Sequence, residues 1–103
     1  MRAILINPAD RTVTEIQVGK TYAELKHAIG DRWLEVASPA SIEPHFLYCD
    51  EEGRLRPNHL FQIAGWPHPI AGKALVLGGI DKAGDEVPAS LSVDQIMAQI
   101  TWL

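Results

Sequence analysis

Two short runs of the chain are strongly apolar, and one segment alternates. Ala3-Ile4-Leu5-Ile6 and Lys73-Ala74-Leu75-Val76-Leu77 predict strands covered on both faces. Thr12 to Val18 is rich in β-branched residues and places Thr14, Ile16 and Val18 on one face, Glu15 and Gln17 on the other. The turn formers Asn7-Pro8-Ala9-Asp10-Arg11 join it to the first run, which predicts a hairpin over residues 2–18.

Two segments carry a helical period. Thr21-x-x-Glu24 is a capping box, a pairing that satisfies two orphan amides at a helix start. Tyr22, Leu25 and Ile29 follow on one face, and Gly30 suits the left-handed position after a helix, so a helix over 21–29 is expected. In the last segment Ser92 is the N-cap, Gln95 completes a capping box, and Leu91 with Ile96 forms a hydrophobic staple. Val93, Ile96, Met97 and Ile100 continue the stripe, with Trp102-Leu103 docked beyond it.

Between the helical segments the pattern is shorter. Trp33 to Val36 and Phe46 to Cys49 predict strands. Asp50-Glu51-Glu52-Gly53 predicts a type I turn with a bulge, returning through Arg54-Leu55-Arg56. Leu60 to Ile63 predicts a further strand. The expected fold is a single α+β domain over 1–103, with a mixed or mostly antiparallel sheet and both short helices packed on one face.

Composition excludes several function classes. The chain is 47% hydrophobic and 21% charged, close to the globular average, and its net charge is −4. Grip on a phosphate backbone needs clustered Lys and Arg, so a nucleic-acid partner is disfavoured. The first apolar run is too short for a signal sequence, and no stretch approaches a membrane span. A cytoplasmic protein with a reduced Cys49 is expected, with no membrane partner. The single cysteine excludes an internal disulfide and a multi-cysteine zinc site.

Catalytic constellations fail on spacing. Gly72-Lys73 invites comparison with a phosphate loop, but six residues rather than four separate Gly65 from Gly72, and Ala74 replaces the hydroxyl residue that would hold magnesium. His45, Cys49, His59 and His68 have no zinc-ligand spacing, so neither a metal nor a cofactor is expected. Acids flank Cys49, which disfavours its thiolate. Asp50-Glu51-Glu52 is followed by arginines, unlike a calcium loop. No catalytic residue is assigned.

The loop Gly65-Trp66-Pro67-His68-Pro69 is the candidate contact surface, because Trp offers a large rigid face and proline lowers the entropy lost on ordering. Trp66, Pro67, His68 and Lys73 are the candidate binding residues. Trp33 and Trp102 adjoin patterned elements and are expected in the core.

The chain resembles a small phage- and plasmid-encoded family catalogued as domain of unknown function 3846. The matching pieces are Asn7-Pro8 with Arg11-Thr12-Val13-Thr14, Leu47 to Gly53, Asn58-His59-Leu60-Phe61, Pro69 to Gly78, and the terminal helix ending near Trp102. The resemblance implies an accessory protein of a mobile element in a bacterial cytoplasm, and it supplies no catalytic or ligand residues. Such accessory proteins often disable host defences. The leading expectation is a non-catalytic binding protein that inhibits a host defence protein by direct contact. Two alternatives stay open. One is a small-ligand or nucleotide binder, using the amides around Gly72 and Gly78-Gly79, with Lys73 and Trp66. The other is an enzyme acting through His68 or Cys49. A homodimer through exposed sheet edges is a further possibility.

Overall fold

A computed structural model describes residues 1–103. The elements in chain order are β1 (Arg2–Asn7), β2 (Thr12–Gln17), α1 (Tyr22–Ala28), β3 (Leu34–Ala37), β4 (Phe46–Asp50), β5 (Leu60–Ile63), β6 (Ile70–Ala71), β7 (Ala74–Leu77), α2 (Val93–Met97) and β8 (Ile100–Trp102). Five strands form one sheet in the order β2-β1-β7-β4-β3, and three form a second in the order β6-β5-β8. Every pairing is antiparallel. The α+β class and the mostly antiparallel sheet therefore hold.

The two apolar runs explain the layering. β7 is the middle strand of the larger sheet, and all four of its residues are buried. Ala74 and Val76 face one core with Ile4 and Ile6; Leu75 and Leu77 face another with Ala3. Each fully buried aliphatic side chain is worth about 1.5–3 kcal/mol, so both faces need a cover. The second sheet and α2 cover the first face through Phe61, Ile63, Ile70 and Ile96. Helix α1 covers the other through Leu25 and Ile29. The helices thus lie on opposite faces, not on one. A sheet buried on both sides cannot leave one face bare.

Three local expectations are also corrected. The segment after Asp50 does not return as a strand. The Asp50 carboxylate accepts the Glu52 amide and pairs with the Arg56 guanidinium, which favours a tight helical turn at Gly53–Leu55. A Cβ on Gly53 would meet the Ala71 carbonyl oxygen at 2.7 Å, so the turn is drawn close against β6. The last helix stops at Met97, because Ile100 to Trp102 pairs with β5, Trp102 opposite Phe61. Ile100, seven residues after Val93, fits the helical stripe, but Ile100 and Trp102, two apart, share a face only in a strand. At α1 the Thr21 hydroxyl accepts the Glu24 amide, but the Glu24 carboxylate accepts from that hydroxyl and not from the Thr21 amide. The Ser92–Gln95 capping box is complete. The cis peptide bond is Glu43–Pro44, in the loop before β4.

Candidate functional site

Trp102 packs on the core as expected, while Trp66 and Trp33 exchange the roles expected of them. Trp66 and Trp102 are half-buried and pack against the larger core. Trp33 is 58% exposed. It sits between the α1 C-terminal turn and β3, with the Lys26 ammonium 3.9 Å from its ring centre and the Tyr22 ring 6.4 Å away. Adjacency to a patterned strand was the only sequence cue for burying it. Just before an edge strand, it has Lys26 and Tyr22 beside it and remains more than half exposed.

That strand is β3, the outermost of the larger sheet, four residues long. Its register with β4 decides which backbone groups are free. Trp33 carbonyl accepts from the Glu51 amide at 2.8 Å, so Trp33, Glu35 and Ala37 point their amides and carbonyls inward. Leu34 and Val36 point theirs outward. The Leu34 amide donates to the Tyr22 hydroxyl at 3.2 Å. The Val36 amide and carbonyl have no partner in the chain.

Large apolar side chains surround this open position. Val36 is 52% exposed, Tyr22 51% and Leu55 81%. Beside the strand lies a groove of about 330 Å³, lined by Val36, Cys49, Leu55, Trp66, His68 and Ile70 among others. Its rim carries Glu35 and Glu51 against one Arg54. Of the sequence-predicted contact residues, Trp66 and His68 line this groove, whereas Pro67 is exposed outside it. Lys73 lines a separate cleft at the end of the sheet. The loop is therefore one wall of a surface whose other wall is β3. The residues missed by sequence reasoning are Trp33, Val36 and Leu55. Only the pairing order reveals that β3 is an edge.

The titratable groups do not assemble into a reaction centre. Cys49 is buried; desolvation, reinforced by Glu35 and Asp50, pushes its thiol up to about 12, and its Sγ donates to the Glu35 carbonyl. Tyr48 donates to Glu86, and burial together with that carboxylate raises the phenol well above its ordinary value. No group of three or more His, Cys, Asp or Glu side chains could hold a metal ion.

His45 is buried and has a structural task. Its Nε2 accepts the Ser90 amide at 2.9 Å. With Arg2, whose guanidinium donates to the Ala89 and Leu91 carbonyls, it pins the 89–91 segment to the sheet. Burial pushes the imidazole down from its ordinary value of 6.5, and the Arg2 charge adds to this. The folded state then resists a proton that the unfolded chain accepts. Stability contributed by neutral His45 is present above about pH 6.5 and falls as the pH drops toward the folded-state value. Melting between pH 7.5 and 5 is expected to show this decline. His45→Gln, which keeps an acceptor without a titrating group, is expected to flatten it; an unchanged slope would refute the assignment.

Comparison with known proteins gives one match. The family model described as a domain of unknown function (DUF3846) matches residues 1–101. No curated protein and no solved structure matches the chain.

Proposed function

The chain belongs to the DUF3846 family, whose description assigns no activity, and from its own surface we propose that it is a non-catalytic binding protein acting by protein–protein contact. The occupant is an extended segment of a partner protein that adds as a strand to the outer edge of β3. One observation carries this: the unpartnered Val36 amide and carbonyl, set between the exposed Trp33 and the apolar groove. Main-chain hydrogen bonds from an added strand supply affinity, and flanking pockets for alternate side chains supply specificity. Trp and Tyr at a surface are the residue types that most often dominate binding energy.

The edge is short, but no proline or lysine blocks it, and Glu35 is its one charge. The other free edge of the larger sheet, β2, is flanked by Thr, Glu and Gln, and its Glu15 is engaged by Arg2 at 2.5 Å. The acidic rim of the β3 groove favours a partner segment with Lys or Arg next to its apolar residues.

The partner class is a component of a bacterial defence system met in the cytoplasm. This part rests on the mobile-element setting that the family resemblance implies. The test is phage plating on bacteria with defined restriction, CRISPR or cyclic-nucleotide systems. Expression of the native chain is expected to restore plating on at least one, and expression of Val36→Pro is expected to fail. No restoration on any member would overturn the defence target while leaving the strand edge to be judged on its own chemistry.

A further inference from the structure

An acidic protein holds a locally basic cleft. At the end of the larger sheet where β1 turns into β2, a recess of about 230 Å³ opens between three stretches distant in sequence. The α1–β3 connection brings Arg32, the segment before β5 brings His59, and the β6–β7 turn brings Lys73. Neither Arg32 nor Lys73 forms an ion pair within the chain, unlike Arg2 and Arg56.

The one acid on the wall is already engaged. Asp50 is bound by Arg56 and by the Glu52 amide, and its side chain is nearly buried. The C-terminal end of α1 also borders the recess, a place where a helix dipole opposes an anion. Two of the carbonyls there, those of Lys26 and His27, are taken by the amides of Ile29, Gly30 and Asp31. Two glycines with positive φ, Gly30 at 89° and Gly72 at 81°, form parts of the wall without side chains. A Cβ on Gly30 would have no neighbour within 4 Å, so the space before it is open.

We propose that this cleft binds a compact phosphate-bearing small molecule, held by Arg32 and Lys73. Two fixed positive charges balance a phosphate carrying about −1.5 to −2 near neutral pH. The guanidinium fork provides paired donors to two oxygens, and the ammonium provides a point charge. The ligand is not recognised through a nucleobase. No aromatic side chain other than His59 lines the recess, and Trp66 lies in the other groove. Its volume is below that of most drug-sized pockets, which favours a phosphorylated group with a small remainder.

This proposal does not rest on the β3 edge, although Asp50 lines both recesses and Arg32 adjoins Trp33, and its test needs no protein partner. The isotope-labelled chain is titrated with inorganic phosphate and with glycerol 3-phosphate at fixed ionic strength, sodium chloride serving as the control, and amide shifts are followed. Saturable shifts at Gly30, Gly72 and Lys73 with at least one phosphate compound, absent with chloride, are expected. Arg32→Ala and Lys73→Ala are each expected to weaken binding about tenfold, and Lys73→Arg to retain most of it. Both side chains are exposed, so native amide spectra are expected for all three variants. Absence of saturable shifts with either phosphate compound overturns the proposal. So does the same response to chloride, or unchanged affinity in both alanine variants.

Discussion

Replacing Val36 by proline is expected to weaken partner binding by at least about thirtyfold, on the order of 2 kcal/mol, while the chain stays folded. The substitution is chosen by register. Val36 opposes Tyr48 at a non-hydrogen-bonded position, so its amide faces away from β4 and no internal hydrogen bond is lost. Proline is tolerated on an edge strand when the missing amide faces solvent. Glu35, the preceding residue, is already extended, the conformation that a following proline imposes. The expected cost in stability is below about 1 kcal/mol, since the valine is half exposed and no core contact is removed. What disappears is the one free donor at the centre of the edge, and the proline ring then stands where the added strand would lie. Trp66→Ala is the informative contrast. Trp66 packs on the larger core, so its loss is expected to lower the melting temperature as well as binding.

The second large effect is on stability. Gly78→Ala is expected to destabilise the protein by about 3 kcal/mol, lowering the melting temperature by roughly 10–20 °C. A Cβ at Gly78 would lie 2.4 Å from the Pro88 carbonyl oxygen, a backbone atom that cannot swing away. Separating the two segments would strain the Gly78 amide bond to the Val87 carbonyl at 2.8 Å and the return bond from Val87 to Gly79 at 2.9 Å. The disturbance would continue into residues 89–91, which Arg2 and His45 hold against the sheet. Gly84→Ala provides the control. Gly84 has a φ of 86° but no atom near its Cβ position, so only backbone strain of about 1 kcal/mol is expected. Thermal melts followed by circular dichroism distinguish the two. Equal melts would show that the 78–88 approach is not tight.

The parts of this fold that local physics decides were legible in the chain. The continuous apolar run Ala74–Leu77 declared a strand buried on both faces, and Ser92 with Gln95 declared a helix start. The two-sided burial also implied a cover on each side. The helices were nevertheless expected together, because strand order cannot be read from a single sequence. The same gap explains the site. Nothing in Leu34-Glu35-Val36-Ala37 says that it lies at an edge, and so nothing says that Trp33 is exposed. Trp66 drew attention through its prolines, and it does line the groove, but as a half-buried wall. Lys73 was expected to act with Trp66. Sheet topology instead carries it to Arg32 and away from the aromatic side chain. Ile100 reads as part of the helical stripe, with Trp102 docked beyond it, because the strand that both pair with, β5, lies far back in the chain.

Amide exchange at Val36, with the protein alone and bound to the partner captured by the native chain, tests the central claim most directly. In the free protein this amide has no acceptor and is expected to exchange rapidly, whereas the inward amides of Glu35 and Ala37 exchange slowly. Strand addition predicts that partner binding slows Val36 exchange by about a hundredfold or more and leaves Glu35 and Ala37 nearly unchanged. A saturated complex in which Val36 exchanges as fast as in the free chain would contradict the account.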